Sequence, residues 1–288
     1  MNNTILVDER ARDIGQFLVG RLLPFRRKRQ VGPFTFIDHM GPAEIGPGKY
    51  MDVDQHPHIG LSTLTYLLEG EIEHRDSTGA VQIIKPGDVG FMTAGKAVTH
   101  TERTPKNLRD GQTRKMHGYQ IWVAMPKELE ESDPHFQYVP KNDIPECEHQ
   151  GMRVRVAAGK AFGMESPLKV LSPLFMVDLF APGQVDLDIS NQVEGEIAVV
   201  VVEGTVHTNE EKIKAGQMLI SMQENKCPLK IEAKSRVLLF GGTPLAEERH
   251  LYWNFVSHSK DRLEQAKKDW QDKKFPKVPG DNTYIPAP

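Results

Sequence analysis

Leu67-Leu68-Glu69-Gly70-Glu71-Ile72, followed by Lys85-Pro86-Gly87-Asp88-Val89, is the stretch that decides the fold. The first segment reads as the end of a strand, a Glu-Gly turn and the start of a second strand. The other is a Lys-Pro-Gly turn that opens a third. The pattern recurs. Val201-Val202-Glu203-Gly204-Thr205-Val206 lies 134 residues further on (67 to 201), and Lys214-Ala215-Gly216-Gln217-Met218 lies 129 further on (85 to 214). The two agreements keep their order and flank a polar stretch at 140–151, so they indicate a duplicated β unit.

Outward from the repeat, short strand-like runs dominate. They cover 62–73 (broken at Gly70), 81–84, 119–125, 153–157, 174–180, 197–202, 218–222, 229–233 and 236–240. Many short strands separated by Gly and Pro predict an all-β sandwich or barrel. One helix is predicted over 260–272. Leu263, Ala266 and Trp270 share a face, Ser259 is the N-cap, and Pro276 prevents continuation. The expected organisation is an N-terminal barrel (1–140), a linker (141–152), a C-terminal barrel (153–258) and a helix with an extended, proline-rich tail (259–288).

Composition narrows the function. The 288 residues hold 36 Lys and Arg against 39 Asp and Glu, a net charge of -3, where a dedicated nucleic-acid binder is usually basic. Direct nucleic-acid binding is therefore not expected, and Arg26-Arg27-Lys28-Arg29 reads as a solvated turn. The longest aliphatic run is Ile197 to Val202, six residues, where a bilayer span needs ~20, so no membrane association is expected. The N-terminal stretch has no apolar core of a secretory signal. Cys147 and Cys227 cannot build a disulfide scaffold. A cytoplasmic setting is the expectation.

The histidines carry the chemistry. In His56-Pro57-His58 the imidazoles are two residues apart and face one side of an extended chain, which Pro57 favours. His100-Thr101-Glu102 repeats the spacing and adds a carboxylate. Three nitrogens and one oxygen suit a borderline divalent ion: iron, manganese, nickel, copper, cobalt or zinc. The bland readings are a solvated pair for His56 and His58, and a strand-edge ion pair for His100 and Glu102. The presence of both pairs in one repeat unit favours the metal.

These residues also carry a resemblance. His56-Pro57-His58, Thr65-Tyr66-Leu67-Leu68-Glu69-Gly70, His74-Arg75-Asp76-Ser77 and Lys85-Pro86-Gly87-Asp88 are similar to the first cupin motif and hairpin of the pirin-like bicupins. Met92-Thr93-Ala94-Gly95-Lys96 with His100-Thr101-Glu102 resembles the second motif. Val31-Gly32-Pro33-Phe34, Asp38-His39-Met40-Gly41-Pro42, Gly241-Gly242-Thr243-Pro244-Leu245 and Trp253-Asn254-Phe255-Val256 extend it over nearly the whole chain. The resemblance implies two tandem jelly-roll β-barrels. It also implies one divalent metal per chain, most simply Fe(II), on His56, His58, His100 and Glu102. Many pirins carry charges where this chain has Ile59 and Ser62, and their replacement predicts a less polar pocket mouth.

The repeat offsets carry His56 and His58 to Ser190 and Gln192, and His100 and Glu102 to Leu229 and Ile231. The C-terminal barrel is therefore expected to hold no ion. Asp38 and His39 are candidates to hydrogen bond the ligand imidazoles, and Gln120 is a candidate to face the ligand pocket. The resemblance implies quercetin dioxygenation, with a small apolar aromatic substrate, O₂ and Glu102 as base. The alternative it implies is a metal-dependent regulator that binds a transcription factor or a metabolic enzyme.

Overall fold

The computed structural model describes residues 4–14, 17–209, 211–223 and 226–288. Among these residues strands dominate, and the single α-helix is Lys260–Gln271. Among the described residues no helix is long and apolar enough to cross a membrane. The chain forms two compact units. One comprises Ala11–Val19, Asp38–Lys141 and Ala246–Pro288. The other comprises Met1–Arg10, Gly20–Ile37 and Asn142–Leu245.

In the first unit, a four-stranded antiparallel sheet runs in the order Asp52–His58, Val98–Arg103, Ile72–Asp76, Val81–Ile84. A larger sheet is built on His135–Val139, Val89–Thr93, Leu61–Glu69 and Arg114–Ala124. Phe34–Ile45, Leu18–Leu23 and Arg10–Asp13 complete it, and each has residues in both units. Met40, Met51, Leu67, Ile72, Ile84 and Met116 form part of the unit's core. Every residue of Leu61–Glu69 up to Leu67 is buried, because both faces of this strand are covered.

The second unit repeats the plan. Its four-stranded sheet runs Val185–Asp188, Pro228–Ile231, Thr205–His207, Lys212–Lys214, the same spatial order as in the first unit. Glu196–Glu203 takes the place of Leu61–Glu69, and Gln217–Ser221 that of Val89–Thr93. The duplication expected from the two Glu-Gly turns is thus present as topology. Gly70 (φ 85) and Gly204 (φ 78) both occupy the left-handed region. A Cβ on Gly70 would lie 2.8 Å from the Lys115 carbonyl oxygen, and one on Gly204 would lie 2.2 Å from Ser235 Oγ. Both turns need glycine for conformation and for space.

Two features differ from the sequence expectation. The polar stretch 141–152 is not a free linker. It contains the strand Glu146–His149, which pairs antiparallel with Met152–Ala161 at the edge of the second unit's large sheet. An edge strand is polar on its open side, and here Glu146 also pairs with Arg155, so composition alone reads as linker. Residues 246–258 belong with the metal-candidate unit and not with the C-terminal barrel. They lead into the helix, where Ser259 caps Arg262 N and Leu263, Ala266 and Trp270 are buried as expected.

The extended tail packs on the first unit. Gln55 Nε2 donates to the Thr283 carbonyl (2.8 Å), Ile285 N donates to the Gln55 carbonyl (3.0 Å) and Arg103 pairs with Asp281 (2.8 Å). The tail therefore lies along the two strands that carry His56, His58 and His100.

Candidate metal centre

Strand pairing assembles the site. Val98–Arg103 lies between Asp52–His58 and Ile72–Asp76. On one side His100 is opposite His56 and Val98 is opposite His58. On the other His100 is opposite Asp76 and Glu102 is opposite His74. A register shift falls between His100 and Glu102 on the His56 side. The two-residue side-chain period then puts all six polar groups on one face.

Within this face His56, His58 and His100 bring one nitrogen each within 4.8 Å of the others. The His58 and His100 Nε2 atoms are 3.1 Å apart. The far nitrogens of the first two rings are committed elsewhere. His56 Nδ1 is 2.8 Å from the Asp54 carbonyl oxygen, and His58 Nδ1 is 3.1 Å from that of Asn254. A carbonyl only accepts, so each Nδ1 carries the proton and each Nε2 keeps a lone pair. Two metal–nitrogen bonds of ~2.0–2.1 Å at angles between about 90° and 109° span roughly 2.8–3.4 Å. The spacing observed between His58 and His100 fits one edge of a coordination shell.

Electrostatics agree. Burial pushes His56 down to about 4, against the favourable hydrogen bond to Asp54. Burial also holds His58 and His100 well below 6.5, and the neighbouring imidazoles add to it. All three rings are neutral at pH 7, the form that ligates a metal. Glu102 is only 6% exposed, and burial raises its carboxyl above the ordinary value against hydrogen bonds from Thr65 and Gln120. A buried carboxylate beside converging lone pairs is costly without a cation. The residues present fit a divalent ion.

Glu102 enters through a second donor set, His74, His100 and Glu102, which shares His100 with the first. Gln120 lies at this carboxylate: Thr65 Oγ1 is 2.9 Å from Gln120 Oε1 and 3.3 Å from Glu102 Oε1. Asp38 and His39 are buried but belong to neither donor set. His39 Nε2 is 2.8 Å from His117 Nε2, and its ring stacks on Tyr119 at 4.6 Å. Ile59 is 1% exposed and packs with Phe255 and Trp270, while Ser62 is buried and donates to Thr93 Oγ1. The expectation that these two positions make a pocket mouth less polar is corrected, since the C-terminal segment packs over Ile59.

Sequence reasoning missed three contributors: His74, Asp76 and the Asn254 carbonyl. The first two were visible as a further pair of polar side chains at strand spacing. Asn254 acts through its backbone and leaves no side-chain signal.

In the C-terminal barrel, Leu229 and Ile231 lie within the hydrophobic core, and Ser190 and Gln192 follow the strand Val185–Asp188. Among the described residues, both donor sets belong to the first unit.

Comparison with known proteins agrees with the geometry. The Pirin family model matches residues 16–123, and the Pirin C-terminal cupin domain model matches 176–276. A pirin-like protein of Caulobacter vibrioides is 45% identical over 289 residues, covering 99% of both chains. A crystal structure named quercetin 2,3-dioxygenase, from Acinetobacter baumannii, is 34% identical with a TM-score of 0.91, covering 99% of this chain and 95% of that one. The bacterial pirin YhhW of Escherichia coli, in complex with nickel(II), shares the fold at 21% identity and a TM-score of 0.65, covering 84% of this chain and 100% of its own. With both cupin domains matched and a relative 45% identical along its full length, this chain belongs to the pirin family.

Proposed function

We propose that this chain is a mononuclear non-haem metal dioxygenase acting on a flavonol or another enolisable aromatic compound. The observation that carries the reading is the convergence of three neutral imidazoles beside one buried carboxylate. Its likeness to the Acinetobacter baumannii protein named quercetin 2,3-dioxygenase supports it. His56, His58, His100 and Glu102 hold the ion, proposed as Fe(II); manganese, nickel, copper, cobalt and zinc suit the same donors. When bound, the ion supplies a redox-capable centre with open positions for an enolate oxygen and O₂.

The chain's own residues supply the rest. Glu102 takes the proton of the substrate hydroxyl. Thr65 and Gln120 hold that carboxylate in place. His58 packs edge to face with Trp122, centroids 5.2 Å apart. The near-complete burial of the imidazoles keeps water from the reacting centre.

The test is oxygen uptake and carbon monoxide release with a flavonol panel, using protein loaded with iron, manganese or nickel. Metal-dependent turnover that is lost in Glu102→Gln is expected. No uptake with any loaded form would overturn the reading. One observation favours a second reading, a metal-dependent regulator: His58 is tied to Asn254, on the segment that continues into the helix and tail. A metal-dependent change in protease cutting within 260–288, without turnover, would support it.

A further inference from the structure

We propose that His74 and Asp76 are positioning residues for His100, fixing which of its nitrogens faces the ion. The inference rests on the metal-centre reading above. His74 and Asp76 face His100 and Glu102 across the strand pair. His74 Nε2 is 3.0 Å from Asp76 Oδ2, and His74 Nδ1 is 3.5 Å from His100 Nδ1. The residues are 2% and 0% exposed.

Proton accounting sets the direction. A carboxylate only accepts, so His74 Nε2 carries a proton, and in the Nε2-protonated tautomer the lone pair is on Nδ1. His100 Nδ1 then donates to that lone pair across a long contact. The lone pair of His100 is left on Nε2, which faces His58. The order of donation is thus His100 to His74 to Asp76. It ends on a carboxylate whose second oxygen is already fixed, since Asp76 Oδ1 accepts from Thr78 N (2.8 Å), Thr78 Oγ1 (2.6 Å) and Ala80 N (3.3 Å). Phe136 stacks on the His74 ring at 4.3 Å and 14°, which holds its plane.

The three imidazoles thereby acquire three different anchors. His56 uses its own strand through the Asp54 carbonyl, His58 uses the Asn254 carbonyl, and His100 uses the His74–Asp76 pair. The competing arrangement places the ion on His74, His100 and Glu102. It requires the His100 lone pair on Nδ1 and its proton on Nε2, directed at His58. It also leaves out His56 and His58, whose nitrogens converge with that of His100. Only the first arrangement uses the anchored rings of His56 and His58 together with His100.

Zinc(II) is the probe, because it is diamagnetic and suits the donors. Zinc affinity is measured by chelator competition on the full-length wild type, His74→Ala and Asp76→Asn. Long-range proton–nitrogen spectra of the zinc-loaded wild type assign the ring tautomers. Expected are His100 metallated on Nε2 and protonated on Nδ1, and His74 unmetallated and protonated on Nε2. Zinc affinity falls about 10–100-fold in both variants, and added imidazole partly restores it in His74→Ala. Asp76→Asn keeps an oxygen for the Thr78 turn, so it carries the test should His74→Ala not fold. Zinc on a His74 nitrogen, or unchanged affinity in the folded variants, would overturn the positioning role. A wild type that takes no zinc would overturn the metal-centre reading itself.

Discussion

Glu130→Ala tests how the C-terminal segment is held to the unit that carries the candidate metal centre. Glu130 and Arg249 are 2% and 5% exposed and pair at 3.0 Å. Glu130 also accepts from Ser257 Oγ (2.8 Å), His258 N (3.0 Å) and His258 Nδ1 (2.8 Å). Removing one partner of a buried ion pair costs about 3–5 kcal/mol, because the other charge is stranded. Here the lower end applies, since Arg249 keeps the Met125 and Glu247 carbonyls. For a unit of about 150 residues, about 3 kcal/mol corresponds to a fall in Tm of roughly 6–12 °C. Asn254 sits between Arg249 and Ser257, so zinc affinity falls as well. Thermal melts followed by near-ultraviolet circular dichroism, with chelator competition alongside, read both effects. A fall in Tm below about 2 °C would refute the claim that this buried network fastens the segment.

Four further outcomes are expected. His58→Ala lowers the metal content of purified, iron-loaded protein from about one ion per chain to near zero by elemental analysis. Metal-free protein loses stability as pH falls from 6.5 towards 4, because the unfolded chain takes up protons that buried His56 refuses. The shift to about 4 corresponds to about 3 kcal/mol. His58 and His100 add to this loss, while Glu102, with its raised pKa, works in the opposite sense; urea denaturation across that range reads the net slope. Ile59→Ala empties part of the cluster with Phe255 and Trp270, costing about 2–5 kcal/mol in the same denaturation experiment. Leu229→His with Ile231→Glu, the ligand pair transplanted into the second barrel, adds no second ion by elemental analysis and lowers Tm, because both positions belong to its hydrophobic core.

Much of this architecture was readable because strand period and turn chemistry are local. Glu69-Gly70 and Glu203-Gly204 mark the same turn in both barrels, and topology bears out the duplication. The converging histidines were readable for the same reason: two-residue spacing on paired strands leaves few other arrangements. The parts that were not readable depend on distant partners. Glu146–His149 looks like linker because it is a strand by its pairing with a neighbouring strand, not by its own composition. Residues 246–258 look like a continuation of the second barrel, and only the contacts of Arg249, Asn254 and Ser257 assign them elsewhere. His39 meets His117, 78 residues away in sequence, a contact that no local pattern announces.

The bond between His58 and the Asn254 carbonyl spans 196 residues of chain. At about 5–20 residues per second on the ribosome, those residues take roughly 10–40 s to make. Throughout that interval His56 and His58 exist without the anchor that fixes the second ring. The N-terminal strands therefore emerge with this anchor unmade, however early they pair. A metal held through this anchored ring would therefore be acquired late in the maturation of this chain, after Asn254 has been made.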